Sequence, residues 1–192
     1  MNATTGTRLP AMLSDLFQLA MMAAVAAILT AAMVLQYYDN EIPCPLCLLQ
    51  RVAMFGVCFG IIMHFRHGYS ARNDGVSMLF ALLLLIISAR QTLLDIYPRP
   101  GHEYIGSAIF GLHMPVWSVV IAVAILLAFA VKFACLGDEH LRDQQPAPAL
   151  GGLARLLSLY VIAICLINFG SVILQCGMDA CHTSGYRLLG GW

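Results

Sequence analysis

The chain is expected to fold as an all-α integral membrane protein, a small bundle of five transmembrane helices. Two observations carry this expectation. Sixty per cent of its 192 residues are apolar, only 10% are charged, and the mean hydropathy is +0.82, whereas soluble domains carry about 25% charged residues. The apolar residues are also gathered into five runs of about 20, the length a helix needs to cross ~30 Å of hydrocarbon. Lipid offers a backbone no hydrogen-bond partners, and unbroken apolar runs lack the alternation of barrel strands, so the crossings must be helices. Equal numbers of acidic and basic residues leave no net charge, so no nucleic-acid partner or acidic substrate is indicated. Lipid is the expected surroundings.

The first run, Leu16 to Tyr37, is longer than the apolar core of a secretory leader. No clear cleavage site follows a shorter stretch, so it reads as a retained helix rather than a leader ending near Ala32. The second, Leu46 to Phe65, starts in a cysteine motif. The third, Val76 to Ile96, is clean only to Ala89; its last turns carry Arg90, Gln91 and Asp95, so that end lies at the interface or faces protein. The fourth is Val116 to Cys135 and the fifth Leu153 to Leu174. Small Ala, Gly and Ser side chains scattered along the runs allow close helix approach. Between the fourth and fifth runs, Gly137 to Gly152 is polar and rich in Pro and Ala, without apolar periodicity, and reads as a cytoplasmic linker. The organisation expected is a four-helix unit over 14–136, a linker over 137–152, and an added helix with a cysteine-bearing tail over 153–192.

Orientation follows from the basic residues. With the N-terminus cytoplasmic, Arg8, Arg66, Arg72, Lys132, Arg142 and Arg155 fall inside, and Arg51, Arg90, Arg99 and Arg187 outside. Five crossings then place Cys44, Cys47, Cys176 and Cys181 together on the outer face, where disulfides persist if the membrane is a bacterial inner membrane. Cys135 falls at the opposite face, with Cys58 and Cys165 mid-membrane.

The stretch "EIPCPLCLLQR" (Glu41 to Arg51) is the chemical centre of the sequence. Pro45 suits the first turn of a helix, which puts Cys44 near the N-cap and Cys47 in that first turn. Unpaired N–H groups and the positive end of the helix dipole favour thiolate there. Arg51, four residues after Cys47, lies one turn deeper on the same face. A cation so placed lowers the thiol pKa and can stabilise charge developing on an acceptor dissolved in the membrane. Other readings of these residues stand beside this one. The cysteines could form half of a zinc site completed by Cys176, Cys181 and His182, or a passive disulfide, and Arg51 could reach back to the headgroups.

"CPLCLLQRVAM" resembles the redox motif of the disulfide bond formation protein B (DsbB) family, membrane enzymes that pass electrons from periplasmic thiols to a quinone. "SARQ" (Ser88 to Gln91), "IYPRP" (Ile96 to Pro100) and "GLHMPVWS" (Gly111 to Ser118) extend the resemblance, which covers about Leu16 to Cys135. It implies a DsbB-like four-helix transmembrane bundle, here followed by a fifth, C-terminal transmembrane helix. It further implies that Cys44 and Cys47 are the pair in contact with a quinone, ubiquinone or menaquinone, and that Arg51 holds the quinone oxygen. Gln91 occupies the place of a polar residue of the same pocket, with Arg90 a neighbouring candidate. No bound metal is implied. The partner implied is a periplasmic thioredoxin-fold dithiol oxidase, DsbA-like, and the location a bacterial inner membrane with the redox cysteines on its periplasmic face.

The chain departs from that family in one respect. Members usually carry a second cysteine pair between the third and fourth crossings, and here Asp95 to Val116 contains none. The tail "QCGMDACHTSG" offers Cys176 and Cys181 on the same side, with Gly177 and Gly185 letting the backbone bend. These two are the expected second redox pair. A structural disulfide, a widened haem-attachment motif and a purely docking role are the other readings of the tail.

Three smaller expectations complete the picture. Ile105, Ile109 and Leu112 recur at helical spacing between His102 and His113, which predicts a short interfacial helix; His102, Glu103 and His113 could relay protons there. Cys58 returns to nearly the face of Cys47, which raises an alternative function, a thiol shuttle carrying reductant outward with Cys165 or Cys135 as further stations. Buried single cysteines behave mainly as small apolar packing residues, which argues against it. Asn168 is expected to make an interhelical hydrogen bond. A non-catalytic membrane scaffold with structural disulfides is the remaining alternative.

Overall fold

A computed structural model describes residues 8–39, 42–97, 108–136 and 148–177. Among these the chain forms α1 (Arg8–Tyr38), α2 (Pro45–His67), α3 (Ala71–Ile96), α4 (Met114–Leu136) and α5 (Pro148–Cys176), with a two-strand hairpin, β1 (Ala108–Ile109) and β2 (Leu112–His113), before α4. All five helices are long and apolar enough to cross a membrane. All five begin earlier than their apolar runs, α1 by the most. α1 starts at Arg8, and α5 starts at Pro148, so the last five residues of the expected linker are already helix.

Burial is inverted relative to a soluble bundle. α5 exposes Leu156, Leu159, Ile162, Leu166, Phe169 and Ile173 while burying Asn168, Ser171 and Gln175. Lipid tails are as apolar as leucine, so the helices gain little by hiding their greasy faces and associate through close packing and internal hydrogen bonds. α2 is the hub, lying against α1, α3 and α5, and α4 closes the bundle against α3 and α1. Its glycines let α3 come close. A Cβ on Gly60 would stand 2.5 Å from the carbonyl oxygen of Asn73, and in the same contact Ser77 Oγ donates to the Val57 carbonyl at 2.9 Å. Met22, Leu29, Val57, Ile61, Leu84 and Phe129 fill the middle.

The turn between α2 and α3 shows why these helices end where they do. Gly68 ends α2 at φ 86°, its N–H reaching the His64 carbonyl, and Ser70 caps α3 by accepting from the Arg72 N–H. This end of the bundle holds a buried ionic cluster. Asp15 of α1 pairs with His64 of α2 at 3.0 Å, and Asp74 of α3 accepts from both Lys132 of α4 and Gln18 of α1. The Lys132 ammonium also lies 5.1 Å from the centre of the Tyr69 ring, a favourable cation–π position. Lys132, counted from sequence among the cytoplasmic loop charges, is in fact 4% exposed. An apolar helix can carry such a lysine at depth only with a partner, because an unpaired buried ion costs several kcal/mol.

The interfacial helix expected between His102 and His113 is not what forms over its described part. Ile109 and Leu112 instead face each other across the hairpin, joined by Phe110 (φ 52°) and Gly111 (φ 76°). Two left-handed residues make the tight turn whose twist matches paired strands, and that local geometry overrides the weak helical spacing of three apolar residues. Residues 98–107, including His102, Glu103 and Ile105, lie outside the described residues.

Candidate active site

At the end of the bundle away from the ionic cluster, α2 starts as its sequence predicts. Cys44 is the N-cap in extended backbone, Pro45 stands in the first turn, and Cys44 Sγ accepts the N–H of Cys47 at 3.0 Å. The helix N-terminus favours negative charge on this sulfur. Cys44 and Cys47 are joined as a disulfide, their Cα atoms 5.0 Å apart. In this state the pair is a two-electron acceptor rather than two thiolate ligands.

Gln91, buried near the end of α3, donates from Nε2 toward both sulfurs, at 3.4 Å to Cys44 and 3.6 Å to Cys47. Its own Oε1 accepts from Gln50 Nε2 at 3.0 Å, and Gln50 Oε1 accepts from Ser118 Oγ at 3.2 Å. One chain of hydrogen bonds thus runs from α4 through α2 and α3 and ends on the disulfide. Each amide is held by its neighbour, so the final donor is aimed before any charge develops, the arrangement that makes electrostatic stabilisation effective.

Beside the disulfide lies a cavity of about 450 Å³, within the span of roughly 300–1,000 Å³ usual for small-molecule sites. Ile28, Leu35, Met54 and Ile121 give it apolar walls, and Gln36, Gln50, Arg51 and Ser118 supply polar groups. Cys47 is on the wall and Cys44 is not. Phe110, at the hairpin turn and 92% exposed, stands at its edge with its ring 6.4 Å from that of Trp117. Such a cavity suits a flat apolar molecule bearing hydrogen-bond-accepting oxygens.

Arg51 is 8% exposed. Its Nη1 donates to Gln36 Oε1 at 2.5 Å, to Asn168 Oδ1 at 3.0 Å and toward Met33 Sδ at 3.3 Å, and its Nη2 donates to the Ala32 carbonyl at 3.0 Å. Each of these four acceptors is neutral, so they orient the guanidinium without themselves placing a negative charge on it. It is therefore no headgroup anchor. Asn168 makes the interhelical bond expected of it, and its partner is the arginine of the cavity.

The predicted site residues separate into three groups. Cys44, Cys47, Arg51 and Gln91 come together, but Gln91 sits on the sulfurs and not, as expected, on the cavity wall. Arg90 is exposed and also off the wall; successive residues of a helix point about 100° apart, so turning Gln91 inward turns Arg90 away. Cys176 closes α5, buried and disulfide-bonded, and its partner, like Cys181, His182 and Gly185, lies outside the described residues. Gly177 does bend the chain, at φ 61°. The end of α5 adjoins the start of α2, since Gln175 Nε2 donates to the Pro43 carbonyl at 2.8 Å. Cys58, Cys135 and Cys165 are free thiols, Cys58 wholly enclosed in the apolar core.

Sequence reasoning missed Gln36, Gln50, Ser118, Ser171 and Gln175. The available signal was that each is a polar side chain inside an apolar run or, for Gln175, directly after one, where burial in lipid is costly and marks function or helix pairing.

Residues 14–103 match the family model described as Disulfide bond formation protein DsbB. Three similar curated relatives all carry the name Disulfide bond formation protein B. One from Azoarcus sp. (strain BH72) is 37% identical over 98 residues, 45% of this chain and 58% of the relative. One from Nitrosomonas eutropha is 31% identical over 80 residues, 40% of this chain and 49% of the relative. One from Burkholderia ambifaria is 43% identical over 63 residues, 33% of this chain and 35% of the relative. The chain thus spans about half the length, or less, of the curated relatives it matches. No solved structure matches it.

Proposed function

We propose, from the match of residues 14–103 to the DsbB family model, that this chain is a membrane thiol-disulfide oxidoreductase. It reoxidises a periplasmic thioredoxin-fold dithiol oxidase, DsbA-like, and passes the electrons to membrane quinone, ubiquinone or menaquinone. The observation that carries this reading is the sharing of one apolar cavity by the Cys47 end of the disulfide and the oriented Arg51 cation. Gln50 and Arg51 would hold a quinone oxygen, and the aliphatic walls would take the ring and the start of the tail. The membrane is taken to be a bacterial inner membrane, with this end of the bundle periplasmic.

The exchange begins with both pairs oxidised. A thiolate of the reduced partner attacks the disulfide at Cys176, of which Cys181 is the expected other half. Cys181 leaves as a thiolate, and the partner's second thiol then attacks the partner sulfur bound to Cys176 and expels Cys176, so the partner leaves as a disulfide and the tail holds two thiols. One tail thiolate attacks Cys44 Sγ; the bond to Cys47 breaks and its electron pair stays on Cys47 Sγ, beside the Gln91 donor and at the cavity wall. The second tail thiolate displaces Cys44, which restores the tail disulfide and leaves Cys44 and Cys47 reduced. A quinone bound in the cavity supplies the acceptor for the two electrons and two protons whose departure re-forms the Cys44–Cys47 bond. The hydrogen bond from Gln175 to the Pro43 carbonyl supports a tail-to-Cys44 step, because it ties the neighbour of Cys176 to the neighbour of Cys44.

The test is oxidation of dithiothreitol, and of a reduced DsbA-type protein, by the purified full chain with ubiquinone-1 or menadione. Turnover is expected in the wild type and none in Cys47→Ser. A wild type that oxidises neither thiol with either quinone would overturn the proposal.

A further inference from the structure

We propose that α5, which lies outside the family-matched segment, is a working part of the acceptor site: Asn168 and Ser171 are positioning residues that hold the Arg51 cation at the cavity wall. The inference rests on the reading of that cavity as the quinone site.

Asn168, Ser171 and Gln175 recur at i, i+3 and i+7, one stripe of an otherwise apolar helix. All three are buried, at 4%, 3% and 1% exposure, and each bonds to something belonging to the site. Asn168 Oδ1 accepts from Arg51 Nη1 at 3.0 Å. Ser171 Oγ accepts from Gln36 Nε2 at 2.6 Å, and the other end of that Gln36 amide accepts from Arg51. Gln175 fixes the carbonyl of Pro43, one residue before the helix cap. A stripe needed only to glue α5 to the bundle could bond anywhere along α1 or α2. This one converges on the guanidinium and on the entrance to the redox helix.

The chemistry of the acceptors matters as much as their position. Side-chain amide oxygens are neutral, so Gln36 and Asn168 fix where the guanidinium points without themselves adding a negative charge beside it. A carboxylate in the same place would also fix it. In low dielectric, however, it would pair with the cation and withdraw its field from any oxygen bound opposite. Asn168→Asp therefore separates a gluing role from a positioning role, because it preserves shape and strengthens the bond while neutralising the charge.

The experiment uses the full chain in detergent, carrying Trp192→Phe so that Trp117 on the cavity wall is the only tryptophan. Two readouts are taken: the Kd of ubiquinone-1 from quenching of Trp117 fluorescence, and the KM values for ubiquinone-1 and dithiothreitol in turnover. Asn168→Asp is expected to raise both the quinone Kd and the quinone KM by roughly tenfold or more. The dithiothreitol KM should stay within about twofold, and the thermal midpoint should be unchanged or higher. Ser171→Ala, which removes only the hydroxyl behind Gln36, is expected to raise the quinone Kd about threefold. Folded Asn168→Asp and Ser171→Ala proteins that bind ubiquinone-1 like the parent would overturn the inference while leaving the proposed function intact. So would a fall in kcat with no change in quinone Kd. A parent protein that neither binds nor reduces ubiquinone-1 would instead sink the reading of the cavity itself.

Discussion

The side-chain amide of Gln91 faces both sulfurs of the Cys44–Cys47 disulfide, its Nε2 3.4 Å from Cys44 Sγ and 3.6 Å from Cys47 Sγ. Whichever sulfur becomes a thiolate during exchange, the same N–H₂ group faces it. A hydrogen bond to a charged partner is worth about 1.5–3 kcal/mol. Gln91→Leu should therefore slow reduction of the Cys44–Cys47 bond by dithiothreitol roughly tenfold or more, and raise the pH at which the reduced cysteines react with iodoacetamide. Gln50→Leu, which frees Gln91 to turn, should show a smaller effect of the same sign. An alkylation profile unmoved by Gln91→Leu would remove the amide from the chemistry.

Arg51 should act on the acceptor and not on the disulfide. Arg51→Met is expected to raise the quinone KM on the order of 10²-fold, as loss of a preorganised charge-stabilising donor does, while thiol titration still finds Cys44 and Cys47 oxidised. Arg51→Lys keeps the charge but loses the planar fork that serves several acceptors at once, and should fall between the two. An equal loss in both variants would mean that shape, not charge, is what the site requires.

The tail relay predicts one specific trapped species. In Cys47→Ser, Cys44 is left as a thiol; its thiolate attacks the tail disulfide, one tail sulfur leaves as thiolate, and with no Cys47 to resolve the product a mixed disulfide between Cys44 and the tail should accumulate, visible by non-reducing peptide mapping. Cys44 linked only to the soluble partner, with Cys176 never involved, would show that the tail disulfide is structural.

The ionic end predicts stability effects without functional ones. Lys132→Met leaves Asp74 buried with its charge uncompensated, which costs about 3–5 kcal/mol where it has been measured in buried pairs. The paired change Asp74→Leu with Lys132→Met should recover most of that loss in thermal unfolding. Because this cluster sits at the opposite end of the bundle, quinone KM in the double variant should match the parent. A large KM shift there would reveal coupling along the helices that the contacts do not suggest.

The outward-shuttle alternative is separable by one substitution. Cys58 is free and fully enclosed by core side chains, and thiol exchange needs sulfur in contact with sulfur. Cys58→Ala should leave thiol oxidation within about twofold of the parent, with only the small stability change of a packing substitution. Abolished turnover would revive the shuttle.

The amino-acid sequence by itself determined that five helices cross a membrane, because lipid tolerates only backbones that satisfy their own hydrogen bonds and apolar length is readable residue by residue. It also determined that Cys44 caps α2 and that Arg51 follows one turn deeper, since Pro45 and the i, i+4 spacing act locally. It did not reveal which face of each helix turns inward. That choice separates Gln91 from its neighbour Arg90, brings Gln50 and Ser118 to the disulfide, and makes Asn168 a ligand of Arg51 across 117 residues of chain. Nor did it foresee the hairpin at Ile109 and Leu112, where a two-residue turn outweighed helical spacing. Rotation about a helix axis in lipid is decided by the few polar contacts that helices can make with one another, and those contacts exist only once all the helices are in place.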